Sequence, residues 1–189
     1  MTFSWSTFAC AGLSLLLFAR ADAQRQHDPL NQLEIDQLRD TAQDPDSRLR
    51  LYVKFAQERL AALDQARSDP KVTDRAQVTH DRLQEFVDVY DELNDNIDTF
   101  AGQRQDIRRV LKAISAADTE FQTKLRALKD SPGNTDELKQ YEFVLSDALD
   151  DLESNAKDHI QLLAEQEEAA KHKKLLKAQP PSRANLAPQ

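Results

Sequence analysis

The stretch that decides the fold covers residues 83–128 and reads LQEFVDVYDELNDNIDTFAGQRQDIRRVLKAISAADTEFQTKLRAL. Apolar side chains recur along it at alternating steps of three and four residues, which is the heptad pattern of a packed α-helix. Arg104 and Asp118 are the only polar members of this seam, which consists of Leu83, Phe86, Tyr90, Leu93, Ile97, Phe100, Arg104, Ile107, Leu111, Ile114, Asp118, Phe121, Leu125 and Leu128. A seam of more than six heptads predicts an all-α fold.

Gly102 is the one place where the seam could divide into two helices. No Ser, Thr, Asn or Asp stands between Gly102 and Asp106 to cap a new helix, and the heptad phase is the same on both sides. A single glycine inside a helix costs only about 1 kcal/mol. We therefore expect one continuous helix from about Thr73 to Lys129, about 85 Å long.

Further helices are predicted on both sides of the seam. The pairs Asp28-Pro29 and Asp44-Pro45 are typical of helix starts, and predict a short helix from Leu30 to about Ala42 and a longer one to about Arg67. The clearest turn lies at residues 130–134. It precedes a last helix to about Ala178, whose apolar stripe is Tyr141, Leu145, Ala148, Leu149, Leu152, Ala156, Ile160 and Leu163.

Two all-α architectures accommodate these helices. The one we favour is a long antiparallel, coiled-coil-like helical hairpin, with the N-terminal helices packed on it. The other is an up-down four-helix bundle, with the seam broken at Gly102. We expect the aromatic residues beside the main stripes to pack the second helix onto the hairpin, and the alternative is that they form a partner site; these are Tyr52, Phe55, Tyr141 and Phe143.

The N-terminal residues 1–23 have the pattern of a signal peptide. Their apolar run from Phe8 to Ala19 is shorter than the roughly 20 residues needed to span a bilayer. Ala21-Asp22-Ala23 supplies the small residues of a cleavage site. We therefore expect export to the periplasm or the medium after cleavage following Ala23, a single helical domain over residues 24–178, and a disordered tail over residues 179–189.

Composition excludes many chemistries. The only Cys, Met and Trp lie before residue 24, and only Gly102 and Gly133 remain after it. Two glycines cannot form a dinucleotide or phosphate loop, and the sequence has no Gly-x-Ser-x-Gly, His-Glu-x-x-His or Glu-x-x-His motif. We expect no enzyme activity, no catalytic residue, no resident metal and no cofactor. The four histidines, which are His27, His80, His159 and His172, are expected on the surface or in the seam without a ligand.

Two charged segments are the candidate interaction surfaces. Beside the seam runs an acidic stripe of Asp88, Asp91, Glu92, Asp95 and Asp98, with a looser counterpart of Asp147, Asp150, Asp151 and Asp158 on the last helix. Residues 169–189 contain Lys171, Lys173, Lys174, Lys177 and Arg183 but no acid. This net charge of +5 leaves −13 on the rest of a mature chain whose total is −8. Both segments also have plainer interpretations, as a solvated helix face and as lysines that complement a helix dipole.

The sequence predicts a binding protein more readily than an enzyme. We expect an exported helical protein that acts by protein–protein interaction, as a scaffold, adaptor or chaperone-like factor in the cell envelope, with a protein partner or by self-association. The alternative is a helical bundle that binds a small ligand or a divalent metal. Nucleic acid is not expected, because an acidic body repels phosphate. The basic C-terminal segment allows weak contact with a membrane surface.

Overall fold

The computed structural model of the chain describes residues 29–131 and 135–178. These residues form helices and no strand, which confirms the all-α class. The predicted signal peptide over residues 1–23 and the predicted tail over residues 179–189 lie outside them. The helices are α1 (Gln32–Asp40), α2 (Pro45–Ser68), α3 (Arg75–Gly102), α4 (Arg108–Lys129) and α5 (Thr135–Ala178).

Helices α2 to α5 form a four-helix bundle. α2 packs against α3 and α4, and α5 packs against the same two helices, so α3 and α4 face each other diagonally across the centre. Arg48 of α2 bonds Asn96 of α3 at one end, and Arg67 bonds Thr79 at the other, so α2 and α3 are antiparallel. Successive helices of the bundle run in opposite directions. The link from α3 to α4 joins two helices that lie diagonally opposite each other.

The short helix α1 is tied to the outside of this bundle. It begins at Gln32, two residues later than predicted, because Asn31 forms a capping box with Glu34. Both oxygens of the buried Glu34 carboxylate accept hydrogen bonds from the Arg59 guanidinium of α2, at 2.8 and 2.7 Å. This bidentate pair fixes α1 on α2.

The expectation of a continuous helix from Thr73 to Lys129, and with it the favoured long hairpin, is wrong. α3 ends at Gly102 in a Schellman motif, in which Gln105 N–H donates to Phe100 C=O and Arg104 N–H donates to Ala101 C=O. Arg104, with φ of 58°, is the left-handed residue of this motif. The heptad phase continues because the next helix presents its apolar residues at the same spacing, so phase alone could not reveal the turn.

Replacing Arg104 by glycine should stabilise the protein. A non-glycine residue in the left-handed region costs about 1–2 kcal/mol, and glycine adopts it freely. Because glycine also loses more chain entropy on folding, we expect a net gain of about 0.5–1 kcal/mol in the free energy of unfolding. Denaturation of Arg104→Gly against wild type measures it, with Gln103→Gly as the matched control. That control should lose stability, since Gln103 has a φ of −77°.

The core confirms most of the predicted packing and corrects one helix face. Tyr52, Phe55 and Tyr141 are buried as expected, but Phe143 is 84% exposed. On α5 the buried stripe continues from Leu152 to His159 by a seven-residue step, which turns Ile160 outward. The predicted stripe was wrong at Ile160. The prediction considered only apolar residues and therefore did not recognise that His159 takes the buried position.

Candidate functional site

A chain of polar side chains crosses the middle of the bundle. The hydroxyl of Tyr90 on α3 donates to Asp118 Oδ1 on α4 at 2.9 Å. The other carboxylate oxygen, Oδ2, lies 2.9 Å from Nδ1 of His159 on α5. All three side chains are buried. Burial is the main cause that raises the pKa of the Tyr90 phenol, and the neighbouring Asp118 carboxylate raises it as well. The phenol therefore keeps its proton and remains a hydrogen-bond donor.

Asn94 of α3 completes the network on the other side of His159. Its Oδ1 lies 3.1 Å from His159 Nε2, so both ring nitrogens face an oxygen acceptor. Asp118 and Asn94 therefore hold the imidazole between them through its two ring nitrogens.

The network opens on one side to a groove between α3 and α5. This groove has a volume of about 280 Å³, and its polar lining includes Asn94, Asp98, Asn155, Asp158, His159 and Glu165. Asn94 Nδ2 is buried and has no hydrogen-bond partner among the described residues. A buried N–H group at the edge of a groove is suited to an acceptor atom from a water or a small ligand.

Sequence reasoning missed this network. It expected His159 on the surface or in the seam without a partner, and the structure puts this side chain beside Asp118 and on the same groove as Ile97. It also treated Asp118 as an isolated polar residue in an apolar seam. A usable signal was present, since a buried carboxylate requires a donor and His159 lies seven residues after the core residue Leu152. His80 is separate, beside Asp81 and part-exposed.

The predicted acidic stripe lies on the outer side of α3 and meets its counterpart on α5. Asp91, Asp95 and Asp98 are exposed, whereas Asp88 and Glu92 are half-buried. The pKa of Asp91 is raised to about 6. The largest cause is the partial withdrawal of its carboxyl from water, and the negative charges nearby raise it as well; these are Asp151, Asp88, Asp95 and Asp147. The two predicted stripes therefore form one acidic face, which holds ionised Asp91 at a cost to folding.

This cost predicts a pH-dependent effect of Asp91→Asn. The pKa of Asp91 is about 6 in the folded protein and near 3.8 when unperturbed. Below pH 3.8 the Asp91 carboxyl is protonated in both the folded and the unfolded state, and the fold is not destabilised by it. As pH rises through 6 the carboxyl ionises in the folded protein too, and that stability is lost. At pH 8 the variant should melt about 1–3 °C higher than wild type. The gain should shrink as pH falls through 6 and vanish below about 4. Asp64→Asn, on the exposed side of α2, is the control and should show no such trend.

The predicted basic residues lie elsewhere, at the far end of α5. Gln166 contacts the link between α3 and α4, since its amide accepts from Ile107 N–H and donates to Gln105 C=O, and Lys173 still lines a groove beside the same link. After Lys173 the helix continues for five residues, about 8 Å, to Ala178. Residues 171–177 are all exposed, and they include Lys171, Lys173, Lys174, Lys177, Leu175 and Leu176. The acidic and basic candidates are thus two separate surfaces.

None of the described helices is both long enough and apolar enough to cross a membrane. Within the described ranges, no group of three or more His, Cys, Asp or Glu side chains is placed to hold a metal ion. No family model, curated protein or solved structure matches the chain.

Proposed function

We propose that this chain is an exported, non-enzymatic helical protein that acts by binding another protein in the cell envelope, as a scaffold, adaptor or chaperone-like factor. The observation that carries the proposal is the end of α5, where Leu175 and Leu176 are 66% and 56% exposed on a helix that continues past its own bundle. Helices that extend beyond the core they belong to commonly pair with a partner.

The side chains along this end support a docking role. The core-facing stripe of α5 runs through Leu152, His159, Gln166 and Lys173 at seven-residue steps, so apolar residues leave that stripe where the bundle ends. Leu175 lies two positions after Lys173, about 200° around the helix. Leu175 therefore points away from the bundle, next to lysines, while Leu176 lies on the flank of the helix, about 60° from Lys173. An exposed apolar patch rimmed by charge is typical of a protein-binding site.

Native mass spectrometry of the full chain, expressed with its own N-terminal segment and recovered from the envelope, tests this function. We expect cleavage after Ala23 and a mass above that of one mature chain. The double variant Leu175→Glu/Leu176→Glu should reduce the complex by at least tenfold, which corresponds to about 1.4 kcal/mol. Leu33→Glu is the matched control, because Leu33 is an equally exposed leucine on α1 (66%). A single bare chain in every preparation would contradict the proposal.

A second candidate function rests on the groove beside His159. Its buried Asn94 Nδ2 and its carboxylates would suit a small polar ligand. On this alternative, native mass spectrometry should show a small reproducible extra mass. A thermal-shift series with calcium, zinc, copper and haem should then raise the melting temperature with at least one of them. No shift with any of the four would count against this second function.

A further inference from the structure

The groove between α3 and α5 combines an apolar lining with carboxylates of one sign. Ile97 and Leu162 contribute apolar surface to it. Its charged residues are Asp98 of α3 and Asp158 and Glu165 of α5, and no described Lys or Arg lines it. The volume of about 280 Å³ is slightly below the roughly 300–1,000 Å³ of sites for drug-sized ligands. The groove therefore suits a small group that carries positive charge on an apolar stem.

The negative charge of this groove is not offset by a neighbouring base. Within the ranges that the structure describes, its three carboxylates form no salt bridge, and Glu165 accepts one hydrogen bond, from the Gln161 amide at 2.8 Å. Lys157 of α5 is bound to Glu153 at 2.8 Å. α3 contains no Lys or Arg between residues 83 and 103. A cation from another molecule would therefore find these carboxylates available.

The spacing of the carboxylates favours an extended organic cation over a metal ion. Asp158 and Glu165 are seven residues apart on one side of α5, about 10 Å along the helix. No three metal-binding side chains of the described residues converge on one point. Lysine and arginine side chains match such a surface, because their methylene stems lie along apolar groups while the charged head reaches a carboxylate.

Asn94 adds a second requirement at one end of the groove. Its Oδ1 lies 3.1 Å from His159 Nε2, and its buried Nδ2 has no acceptor among the described residues. An ammonium or a guanidinium cannot fill this place, because each has donors only. A peptide carbonyl can. The ligand should therefore combine a cation with a carbonyl oxygen.

A basic residue within a peptide has both groups at a suitable separation. α3 and α5 run in the same direction, and the contact between Asn94 and His159 fixes their register. From that contact, Asp98 lies four residues further along α3, about 6 Å, and Glu165 lies six residues further along α5, about 9 Å. An extended arginine residue covers a comparable distance from its carbonyl to its guanidinium.

We propose that this groove binds an arginine residue of a partner protein, with its carbonyl on Asn94 Nδ2 and its guanidinium between Asp98 and Glu165. The inference rests on the proposed function, since it names the chemistry of the partner at a second place on α5. Arginine fits better than lysine, because its planar fork of five N–H donors can serve two carboxylates together. Arginine is also enriched among the residues that contribute most to protein–protein binding.

Two short peptides that differ only in charge test the inference. One is acetyl-Ala-Arg-Ala-amide, and the other has citrulline, a neutral analogue of similar shape, in place of arginine. In NMR titrations of the isotopically labelled full chain, the arginine peptide should shift amide signals of residues 94–101 and 155–165. It should bind at least about fivefold more tightly than the citrulline peptide. Agmatine, which has the guanidinium but no carbonyl, should bind more weakly than the arginine peptide, because it leaves Asn94 Nδ2 without an acceptor.

Paired acid-to-amide variants separate the groove from the rest of the acidic face. Asp98→Asn/Glu165→Gln should weaken binding of the arginine peptide by about tenfold, because the guanidinium loses both carboxylates. Asp95→Asn/Asp150→Asn is the matched control, since it removes the same charge from the same two helices outside the groove. At about 0.15 M salt it should change the affinity by less than about twofold. All four side chains are exposed, so both variants should fold.

Each outcome decides the inference. Selective binding of the arginine peptide that is lost in Asp98→Asn/Glu165→Gln supports it. Equal affinity for the citrulline peptide, equal losses in the two paired variants, or unshifted groove signals at millimolar peptide overturn it. If the peptide fails but Leu175→Glu/Leu176→Glu still reduces a complex with another protein, the arginine site is wrong and the proposed function stands. If the peptide binds as expected but that double variant leaves every complex unchanged, the arginine site stands and the docking role of the α5 end is wrong.

Discussion

Replacing Asp118 with alanine should lower the free energy of unfolding by about 3 kcal/mol, one of the two largest losses expected for a single change in this protein. Asp118 is 1% exposed, and its two carboxylate oxygens bind Tyr90 and His159 from the two helices that flank the groove. Alanine would leave a buried phenol and a buried imidazole without their acceptor. At about 2–4 °C per kcal/mol, the melting temperature should fall by about 6–12 °C.

Two further variants separate the network from general effects of removing an acid. Asp64→Ala changes an exposed aspartate within α2 and should alter stability by about 0.5 kcal/mol or less. Tyr90→Phe removes only the hydroxyl and should cost about 1 kcal/mol in wild type, but much less in the Asp118→Ala background. Additive losses in that double-mutant cycle would mean that Tyr90 and Asp118 do not interact.

Phe121→Ala should destabilise the protein by about 3–5 kcal/mol. Phe121 of α4 is fully buried, and its ring meets Phe86 and Tyr90 of α3 edge-to-face, with centroids 5.3 and 6.2 Å apart. These rings fill the centre where α3 and α4 face each other diagonally. Phe143→Ala is the matched control, because it removes the same side chain from an exposed position and should cost about 0.5 kcal/mol or less.

The same rings test whether the seam is broken. A double-mutant cycle of Phe86→Leu with Phe121→Leu should give a coupling of about 0.5–1.5 kcal/mol, since the two rings are in contact. In a continuous helix these residues would lie 35 positions apart, about 50 Å, and would not couple. Independent losses at Phe86 and Phe121 would therefore contradict the four-helix bundle.

Sequence pattern alone predicted the helices well and one boundary badly. The heptad seam located the buried residues of α3 and α4, from Leu83 to Leu125, because burial repeats with the helical period. It could not show the turn after Gly102, because α4 resumes the same phase. The left-handed residue of that turn is Arg104 and not a glycine, so the sign of the break in the sequence was Gly102, two residues earlier, which supported the four-helix alternative without deciding for it.

The candidate site was less predictable than the fold, because its parts come from three helices. Tyr90 and Asp118 were both recognised as seam positions, but which residues lie opposite each other depends on the diagonal link between α3 and α4. Once that link is known, a buried histidine beside a buried carboxylate is an expected pairing. The charged surfaces were predicted by residue, but only the structure shows that Lys171 and Lys174 lie far from Asp91 and Asp95 and on a different surface.

The central claim is that this protein acts by binding another protein through the outward face at the end of α5. Site-specific photocross-linking in cells tests it most directly, with a photoreactive phenylalanine analogue at Leu175 and, as the matched control, at Leu33. We predict a discrete cross-linked species from Leu175, whether with a second copy or with a different protein, and none from Leu33. The same diffuse background from both positions, or no adduct at Leu175, would contradict the claim.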